Sequence, residues 1–214
     1  MATAVSTTAS VYVFGYGSLL EPRSLQNTLP QIDPRRCIPA TAAGLVRCFD
    51  VAFPNDGSQV DKAYYAADGH RPPRILLCNL RPDADREANG ICIPVGPAEL
   101  AALGERERRY SATDVTERVT AAPGWDAPAG RVLAFLGKTE FTGAEDVTRG
   151  VLPAAYRDTI LAGATYWDQQ VTGFAKSFHT STHLPPASRI QQLRRVDLRP
   201  AEEPFRLDGG ARQS

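Results

Sequence analysis

Six short segments rich in Val, Ile, Phe, Thr and Leu restrict the fold of this chain more than any other feature. Each is bounded by Gly, Pro, Asn or Asp, as is typical of β-strands. Only two segments have convincing helical periodicity, one starting at Pro97 (PAELAALGERERRY) and one from Pro153 to Trp167. Strands and helices do not alternate as a Rossmann fold requires, so the sequence predicts a mixed α+β domain. The predicted strands are residues 11–14, 42–53, 75–80, 90–95, 113–120 and 131–136.

Length and charge indicate one domain with no nucleic-acid or membrane partner. The chain has 214 residues, 43% of them apolar, which is enough to bury one substantial core. Basic and acidic residues both number 24, so no net field favours nucleic acid or a membrane surface, and neither partner is expected. We expect a single domain over residues 11–199, between a flexible leader at 1–10 and a tail at 200–214.

The cysteines and the first residues indicate a cytoplasmic protein. Met1–Ser10 has neither the basic region nor the apolar core of a secretory signal, and no apolar run approaches the length of a membrane span. No two cysteines form a CxxC pair, and all lie in apolar or strand-like stretches, so we expect buried free thiols. The cysteines are Cys37, Cys48, Cys78 and Cys92.

The segment VYVFGYGSLL, residues 11–20, runs from a predicted strand into two glycines. It lacks the third glycine of a dinucleotide fingerprint, the Gly-Lys-Ser/Thr of a P-loop and the GxSxG of a nucleophile elbow. One interpretation is a tight turn in which Ser18 caps a following helix. Another is a pocket of backbone N–H groups, open beside Gly17, that is suited to a carboxylate. The two interpretations are compatible.

This segment resembles the opening of the γ-glutamylcyclotransferase-like superfamily, whose first strand ends in a Tyr-Gly-Ser-Leu loop. Residues 88–119, ANGICIPVGPAELAALGERERRYSATDVTERV, resemble the same family in their order of Asn-Gly, strand, Pro-led helix, glutamate, tyrosine and strand. Two departures are Gly104 after Leu103, where relatives often have aspartate, and residues 54–74, which look like an insertion. The resemblance implies an α+β fold with a mixed, barrel-like sheet and a few packed helices.

The resemblance also implies an activity: a γ-glutamyl cyclotransferase that releases 5-oxoproline and a free amine from a γ-glutamyl amide by intramolecular aminolysis. No cofactor or metal is expected. Glu107 matches the family's general acid/base position, and the substrate-binding positions are Tyr16, Gly17, Ser18, Leu19 and Tyr110. The sequence does not identify the amine half of the substrate, which could be glutathione, a simple γ-glutamyl amino acid, a γ-glutamylamine or a natural-product intermediate. It also does not define an oligomeric state.

The chemistry places demands on Glu107. An ordinary glutamate is a poor base towards an amine, so burial should raise its pKa. We therefore expect Glu107 across a small pocket from the Tyr16–Leu19 loop, with Arg106 and Arg108 pointing elsewhere and Glu105 solvated. The plainer interpretation of ERERRY is a solvated, charged helix end.

Other interpretations remain. The chain could be a related amide- or acyl-transfer enzyme of a specialised biosynthetic pathway, or a non-catalytic small-molecule-binding protein on the same fold. His179 and His183 form an HxxxH pair, but the intervening Thr-Ser-Thr favours strand or loop and no third ligand is near in sequence, so no metal is expected. Tyr156, Tyr166 and Trp167 are predicted to pack against the sheet.

Overall fold

The computed structural model describes residues 10–198, which form eleven strands and five α-helices. The predicted tail and the leader up to residue 9 lie outside the described residues, and Ser10 already belongs to the first strand. The strands are β1 Ser10–Gly15, β2 Ile38–Pro54, β3 Lys62–Tyr65, β4 Arg74–Val95, β5 Tyr110–Asp114, β6 Val119–Ala121, β7 Gly130–Gly137, β8 Leu152–Pro153, β9 Thr182–His183, β10 Ile190–Gln191 and β11 Arg194–Asp197. The helices are α1 Pro22–Thr28, α2 Pro97–Arg106, α3 Ala144–Arg149, α4 Ala154–Asp168 and α5 Phe174–Thr180.

The main sheet has seven strands in the order β5-β7-β1-β4-β2-β6, with β9 paired to β2. Strand β1 is antiparallel to β4 and parallel to β7, so the sheet is mixed and the predicted α+β class is confirmed. The sheet of residues 10–198 is open: β5 and β6 end it on opposite sides and do not pair, which corrects the barrel-like closure.

The antiparallel pair of β2 and β4 is the longest pairing in this sheet. The predicted strands 75–80 and 90–95 are two parts of β4, and the polar residues between them continue the strand instead of forming a loop. Their side chains are mostly exposed, and the register with β2, for example Ala43 opposite Glu87, supplies the backbone partners. Pairing with a partner strand therefore overrides the low β-propensity of this segment.

The predicted strand 113–120 corresponds to parts of two strands, which lie at opposite edges of the sheet. β5 pairs with β7, whereas β6 pairs with β2. Between them, the side chain of Asp114 accepts a hydrogen bond of 3.0 Å from the backbone N–H of Thr116, and a short 3-10 turn follows. This local aspartate turn changes the direction of the chain. The sequence analysis missed the turn because the surrounding Val and Thr residues are typical of a continuous strand.

Both predicted helices are present with shorter bounds. Helix α2 ends at Arg106, and the predicted last residue, Tyr110, instead starts β5. Helix α4 buries Ile160, Ala164 and Trp167 in the core. No helix within residues 10–198 combines the length and apolar character needed to cross a bilayer.

The remaining elements include two small sheets. Strand β3, inside the predicted insertion 54–74, pairs antiparallel with β11, and β8 pairs parallel with β10. The four cysteines are free and buried, as predicted. None of the four forms a disulfide bond, so the fold is stabilised by hydrophobic packing and not by cross-links between cysteines.

Candidate functional site

The end of β1 is held close to its neighbours by glycines. At Gly90 of β4 a Cβ atom would lie 2.7 Å from the carbonyl oxygen of Gly15 and 2.6 Å from the ring of Phe14. At Gly163 of α4 it would lie 2.6 Å from the carbonyl carbon of Leu20. Side chains do not fit at these distances, so both glycines allow backbone to approach the segment from either side. The chain after β1 is thereby fixed between β4 and α4.

The Tyr16–Leu19 loop leaves β1 and enters a 3-10 turn, Ser18–Leu20. The N–H of Leu20 donates to the carbonyl of Gly17 at 3.0 Å, but the N–H groups of Gly17, Ser18 and Leu19 have no acceptor within residues 10–198. Ser18 does not cap α1. Glu21 does so, accepting from the N–H of Ser24 at 2.7 Å, and the capping interpretation is therefore wrong. The free donors instead border a cavity.

We call this cavity, of about 380 Å³ including its mouth, the inner cavity. One side is the segment from Val13 to Leu19, which includes the predicted binding residues Tyr16, Gly17, Ser18 and Leu19. The remaining lining residues are Cys78, Glu107, Tyr110, Phe135 and Tyr156. All six residues that the sequence singled out, from motifs almost ninety positions apart, thus border one cavity.

Glu107 lies where helix α2 ends and its carboxyl group faces this cavity. Its backbone N–H closes the helix on Leu103 at 2.8 Å, while its own dihedral angles, φ −91° and ψ 38°, leave the helical region. Burial raises the pKa of the Glu107 carboxyl above its ordinary value of 4.5, an effect that the nearby Arg106, Lys62 and Arg109 reduce but do not cancel. A half-buried carboxyl with a raised pKa is suited to accepting and returning a proton.

Arg106 links the two motifs directly, so the prediction that it points elsewhere is wrong. Its Nε lies 3.2 Å from a carboxylate oxygen of Glu107, and its Nη2 donates to the hydroxyl of Ser18 at 2.9 Å. The prediction assumed a continuous helix, on which adjacent side chains diverge, whereas the helix ends between these two residues. Glu105 and Arg108 are exposed, as expected.

Three tyrosines wall the cavity, and their hydroxyls are set by backbone groups. Tyr16 donates to the carbonyl of Phe135. Tyr110 donates to the carbonyl of Cys78 at 2.7 Å, and Tyr156 accepts from the N–H of Cys78 at 3.2 Å. Burial raises the pKa of all three phenols well above 10, so they remain neutral. The proton of the Tyr156 hydroxyl has no acceptor within residues 10–198 and is free to donate to a ligand.

Sequence reasoning assigned Tyr156 to packing and treated Cys78 only as a buried thiol. A β-bulge explains why both residues instead border the cavity. Between the pairs Cys48–Asn79 and Val51–Leu77, two residues of β2 oppose the single residue Cys78 of β4. This irregularity frees the peptide groups of Cys78 for the two tyrosines. No residue type marks a bulge here, so only the position of Tyr156 in the first turn of α4 hinted at its role.

The inner cavity opens into a wider one of about 1320 Å³, solvent included, which we call the outer cavity. The two share Ser18, Glu107, Tyr110 and Tyr156. Away from these residues, the outer cavity is bordered by the end of α2 and by the β3–β11 pair. A ligand that fills the inner cavity can therefore extend past Glu107 into the outer one.

The other sequence candidates lie apart from the site. His179 is on α5 and His183 on β9, and no group of three His, Cys, Asp or Glu side chains in the described part of the chain could hold a metal ion. Tyr166 and Trp167 pack edge-to-face, with ring centroids 5.3 Å apart.

No protein-family model and no curated protein matches this sequence. Solved structures do match. A γ-glutamyl cyclotransferase superposes with a TM-score of 0.53 at 13% identity, over 84% of this chain and 91% of its own. The uncharacterized human protein loc79017 gives a TM-score of 0.51 at 14% identity, over 83% and 90%. YkqA from Bacillus subtilis gives 0.51 at 18% identity over 80% of this chain, which spans about half, 53%, of the YkqA chain.

These similarities show the fold. At 13–18% identity they carry no activity from one protein to another. The chain has the γ-glutamylcyclotransferase-like fold, and the resemblance inferred from its two motifs is confirmed at that level.

Proposed function

We propose that the protein is a γ-glutamyl cyclotransferase with Glu107 as its general acid/base. The proposal rests on one observation: a half-buried carboxyl group with a raised pKa borders the same small cavity as a loop with three N–H groups that are unpaired within residues 10–198. These are the two features that the intramolecular aminolysis of a γ-glutamyl amide requires, a base and an anion site at a fixed separation. Four unpaired cysteines suit a reducing compartment such as the cytoplasm.

In this mechanism the substrate supplies its own nucleophile. The α-carboxylate accepts hydrogen bonds from the N–H groups of Gly17, Ser18 and Leu19, with the charge of Arg106 close by. The α-amine then lies near Glu107, which removes a proton from the ammonium. The amine nitrogen forms a bond to the γ-carbonyl carbon and loses its second proton to water, the bond from that carbon to the leaving nitrogen breaks, and Glu107 returns its proton to the departing amine. The products are 5-oxoproline and the free amine, and no covalent enzyme intermediate forms.

Incubation with a panel of γ-glutamyl amides tests the activity. We expect 5-oxoproline and the free amine in equal amounts from at least one member, measured by chromatography. An α-glutamyl isomer of the same substrate is the matched control, because its carbonyl is out of reach of the five-membered ring closure. If no γ-glutamyl compound releases 5-oxoproline, or if glutamate is released instead, the proposal is wrong.

The pH profile tests the role of Glu107 separately. The base must be ionised, and burial raises its pKa, so kcat/KM should rise with pH through a midpoint above the ordinary value of 4.5. The measurement is kcat/KM between about pH 4.5 and pH 8 at constant ionic strength, with circular dichroism at each pH to exclude unfolding. A profile that is flat over the acidic half of this range contradicts a buried general base.

A further inference from the structure

The outer cavity has an excess of positive charge. Its lining includes five basic and three acidic residues. The basic residues are Lys62, Arg106, Arg108, Arg109 and Arg195, and the acidic residues are Asp61, Glu105 and Glu107. In the proposed reaction the amine half of the substrate lies in this cavity, because the glutamyl half fills the inner one.

The buried arginine of this lining is already paired. Arg109 bonds Asp61 at 2.9 Å and the side-chain carbonyl of Gln59 at 2.9 Å, with its guanidinium 4.2 Å from the centre of the Phe53 ring. Arg195, which is half exposed, pairs with Asp197. Both cations therefore already have a carboxylate partner, although the Nε of Arg109 is buried without an acceptor within residues 10–198.

Lys62 differs from them. Its ammonium lies 5.4 Å from the centre of the same Phe53 ring, and within residues 10–198 it has no hydrogen-bond acceptor and no carboxylate oxygen within 4.0 Å. Burial lowers the pKa of Lys62 to about 8, and repulsion from Arg109 and Arg195 adds to this. Lys62 is half-buried, and partial loss of hydration is costly for an ammonium, which has three donors and here no acceptor within residues 10–198. This cost is offset when an anion enters the cavity.

We infer that Lys62 binds an anionic group, such as a carboxylate, on the amine half of the substrate. The inference rests on the proposed function and specifies its substrate class: γ-glutamyl conjugates of amines that carry a negative charge. Neutral amines gain nothing at Lys62, and amines with a second positive charge are repelled by it and by the excess of arginine. Lys62 lies on β3, within residues 54–74 and outside the two motifs that carry the resemblance to the family.

Binding to a variant that does not turn over tests the inference without depending on catalysis. In the Glu107→Gln background, titration calorimetry compares γ-glutamylglycine with γ-glutamylethylamide, which is similar in size but lacks the second carboxylate. We expect γ-glutamylglycine to bind about tenfold more tightly, as is typical of a charge-assisted hydrogen bond. Adding Lys62→Met should remove this preference, whereas Lys176→Met, at an exposed lysine of α5, should keep it.

The outcomes separate the two proposals. Equal binding of both compounds, or a preference that survives Lys62→Met, overturns the role of Lys62 and leaves the cyclotransferase proposal intact. Failure of both compounds to bind overturns the proposed function and the role of Lys62 together. In the active enzyme, Lys62→Met should raise KM for γ-glutamylglycine about tenfold more than it raises KM for γ-glutamylethylamide.

Proton uptake provides a readout that a structural lysine would not change. The charged and titratable groups around Lys62 are Asp61, Tyr64, Glu107, Arg109, Arg195 and Asp197. Burial raises the pKa of Tyr64, arginines stay charged, and burial of Asp61 is outweighed by Arg109, which lowers the pKa of Asp61. In the Glu107→Gln background, Lys62 is then the group that changes charge near pH 8.

Binding of γ-glutamylglycine near pH 8 should therefore take up a proton, which titrations in buffers of different ionisation enthalpy detect. The uptake should vanish with Lys62→Met. The melting temperature of the unliganded Lys62→Met protein should be equal to or higher than that of the wild type, because the substitution removes a half-buried charge that has no carboxylate partner within residues 10–198. A clear fall in melting temperature, with proton uptake retained, overturns the inference.

Discussion

Replacing Glu107 by glutamine is expected to lower turnover of a γ-glutamyl amide by about 100-fold or more while leaving KM close to its original value. Glutamine keeps the size of the side chain and can still contact Arg106, but it accepts no proton. Only the proton transfers from the α-ammonium and to the leaving nitrogen are lost. The measurement is the release of 5-oxoproline under saturating substrate.

Glu105→Gln is the matched control, since it makes the same change of charge two residues away at an exposed position. It should leave turnover near that of the wild type. Equal losses in the two variants would indicate a general electrostatic effect and not a base. Near-normal turnover of Glu107→Gln would remove Glu107 from the mechanism.

The same variant should change the pH dependence of stability. Because burial raises the pKa of Glu107 in the folded protein, the folded state retains a proton that the unfolded state loses above its ordinary pKa of 4.5. The free energy of unfolding of the wild type therefore falls as pH rises from the unfolded pKa to the folded one. Glutamine does not titrate, so the variant should gain stability relative to the wild type at about pH 8 and show no such gain at about pH 4, measured by urea unfolding.

The sequence predicted the parts of the site that local patterns define. The break at Gly15 and Gly17 located the loop, because glycine allows backbone angles and close approaches that other residues do not, and Pro97, which suits the first turn of a helix, located Glu107 near the end of that helix. The position of Arg106 could not be predicted in the same way. It depends on the helix ending at this residue and not four residues later, where the charged pattern continues.

Features that depend on pairing between distant segments were also beyond the sequence. The bulge opposite Cys78 arises from the register of two strands, and it decides where the hydroxyls of Tyr110 and Tyr156 are held. Similarly, Lys62 reaches the cavity because β3 pairs with β11, more than 130 positions away, through contacts such as Ala63 with Val196. A polar segment of high loop propensity gives no sign of such a partner.

A second large effect is expected from Arg47→Met, which should lower the free energy of unfolding by about 3 kcal/mol. Arg47 is fully buried, with 0% exposure, and has no carboxylate within 4 Å in the described chain. Its Nε donates to the carbonyl of Tyr16 at 2.8 Å, its Nη1 to the hydroxyl of Thr182 at 2.9 Å, and its Nη2 to the carbonyl of Asn89. The ring of Phe178 lies 4.0 Å from the guanidinium.

Two opposing effects decide whether Arg47→Met lowers or raises the free energy of unfolding. Burial lowers the pKa of Arg47 to about 10, so the group is still charged at neutral pH and removing that charge is favourable. Methionine, however, leaves the carbonyls of Tyr16 and Asn89 buried without a donor, at about 1–3 kcal/mol for each unsatisfied group. Two such losses and the lost contact with Phe178 exceed the gain. For a chain of this length the melting temperature should fall by about 6–12 °C, whereas Arg35→Met, at an exposed arginine, should change it little.

Arg47→Met should also lower activity, because the hydrogen bond from Arg47 to the carbonyl of Tyr16 holds the Tyr16–Leu19 loop that the substrate requires. At a temperature at which Arg47→Met is fully folded, kcat/KM should still fall, since the carbonyl of Tyr16 no longer fixes the N–H groups of Gly17, Ser18 and Leu19. Arg47→Lys should fall between the wild type and Arg47→Met in both measurements: its single ammonium keeps the charge but cannot contact three segments at once. If the folded variant keeps full kcat/KM, Arg47 stabilises the core alone and the Tyr16–Leu19 loop is positioned by Gly90 and Gly163, the two glycines against which it packs.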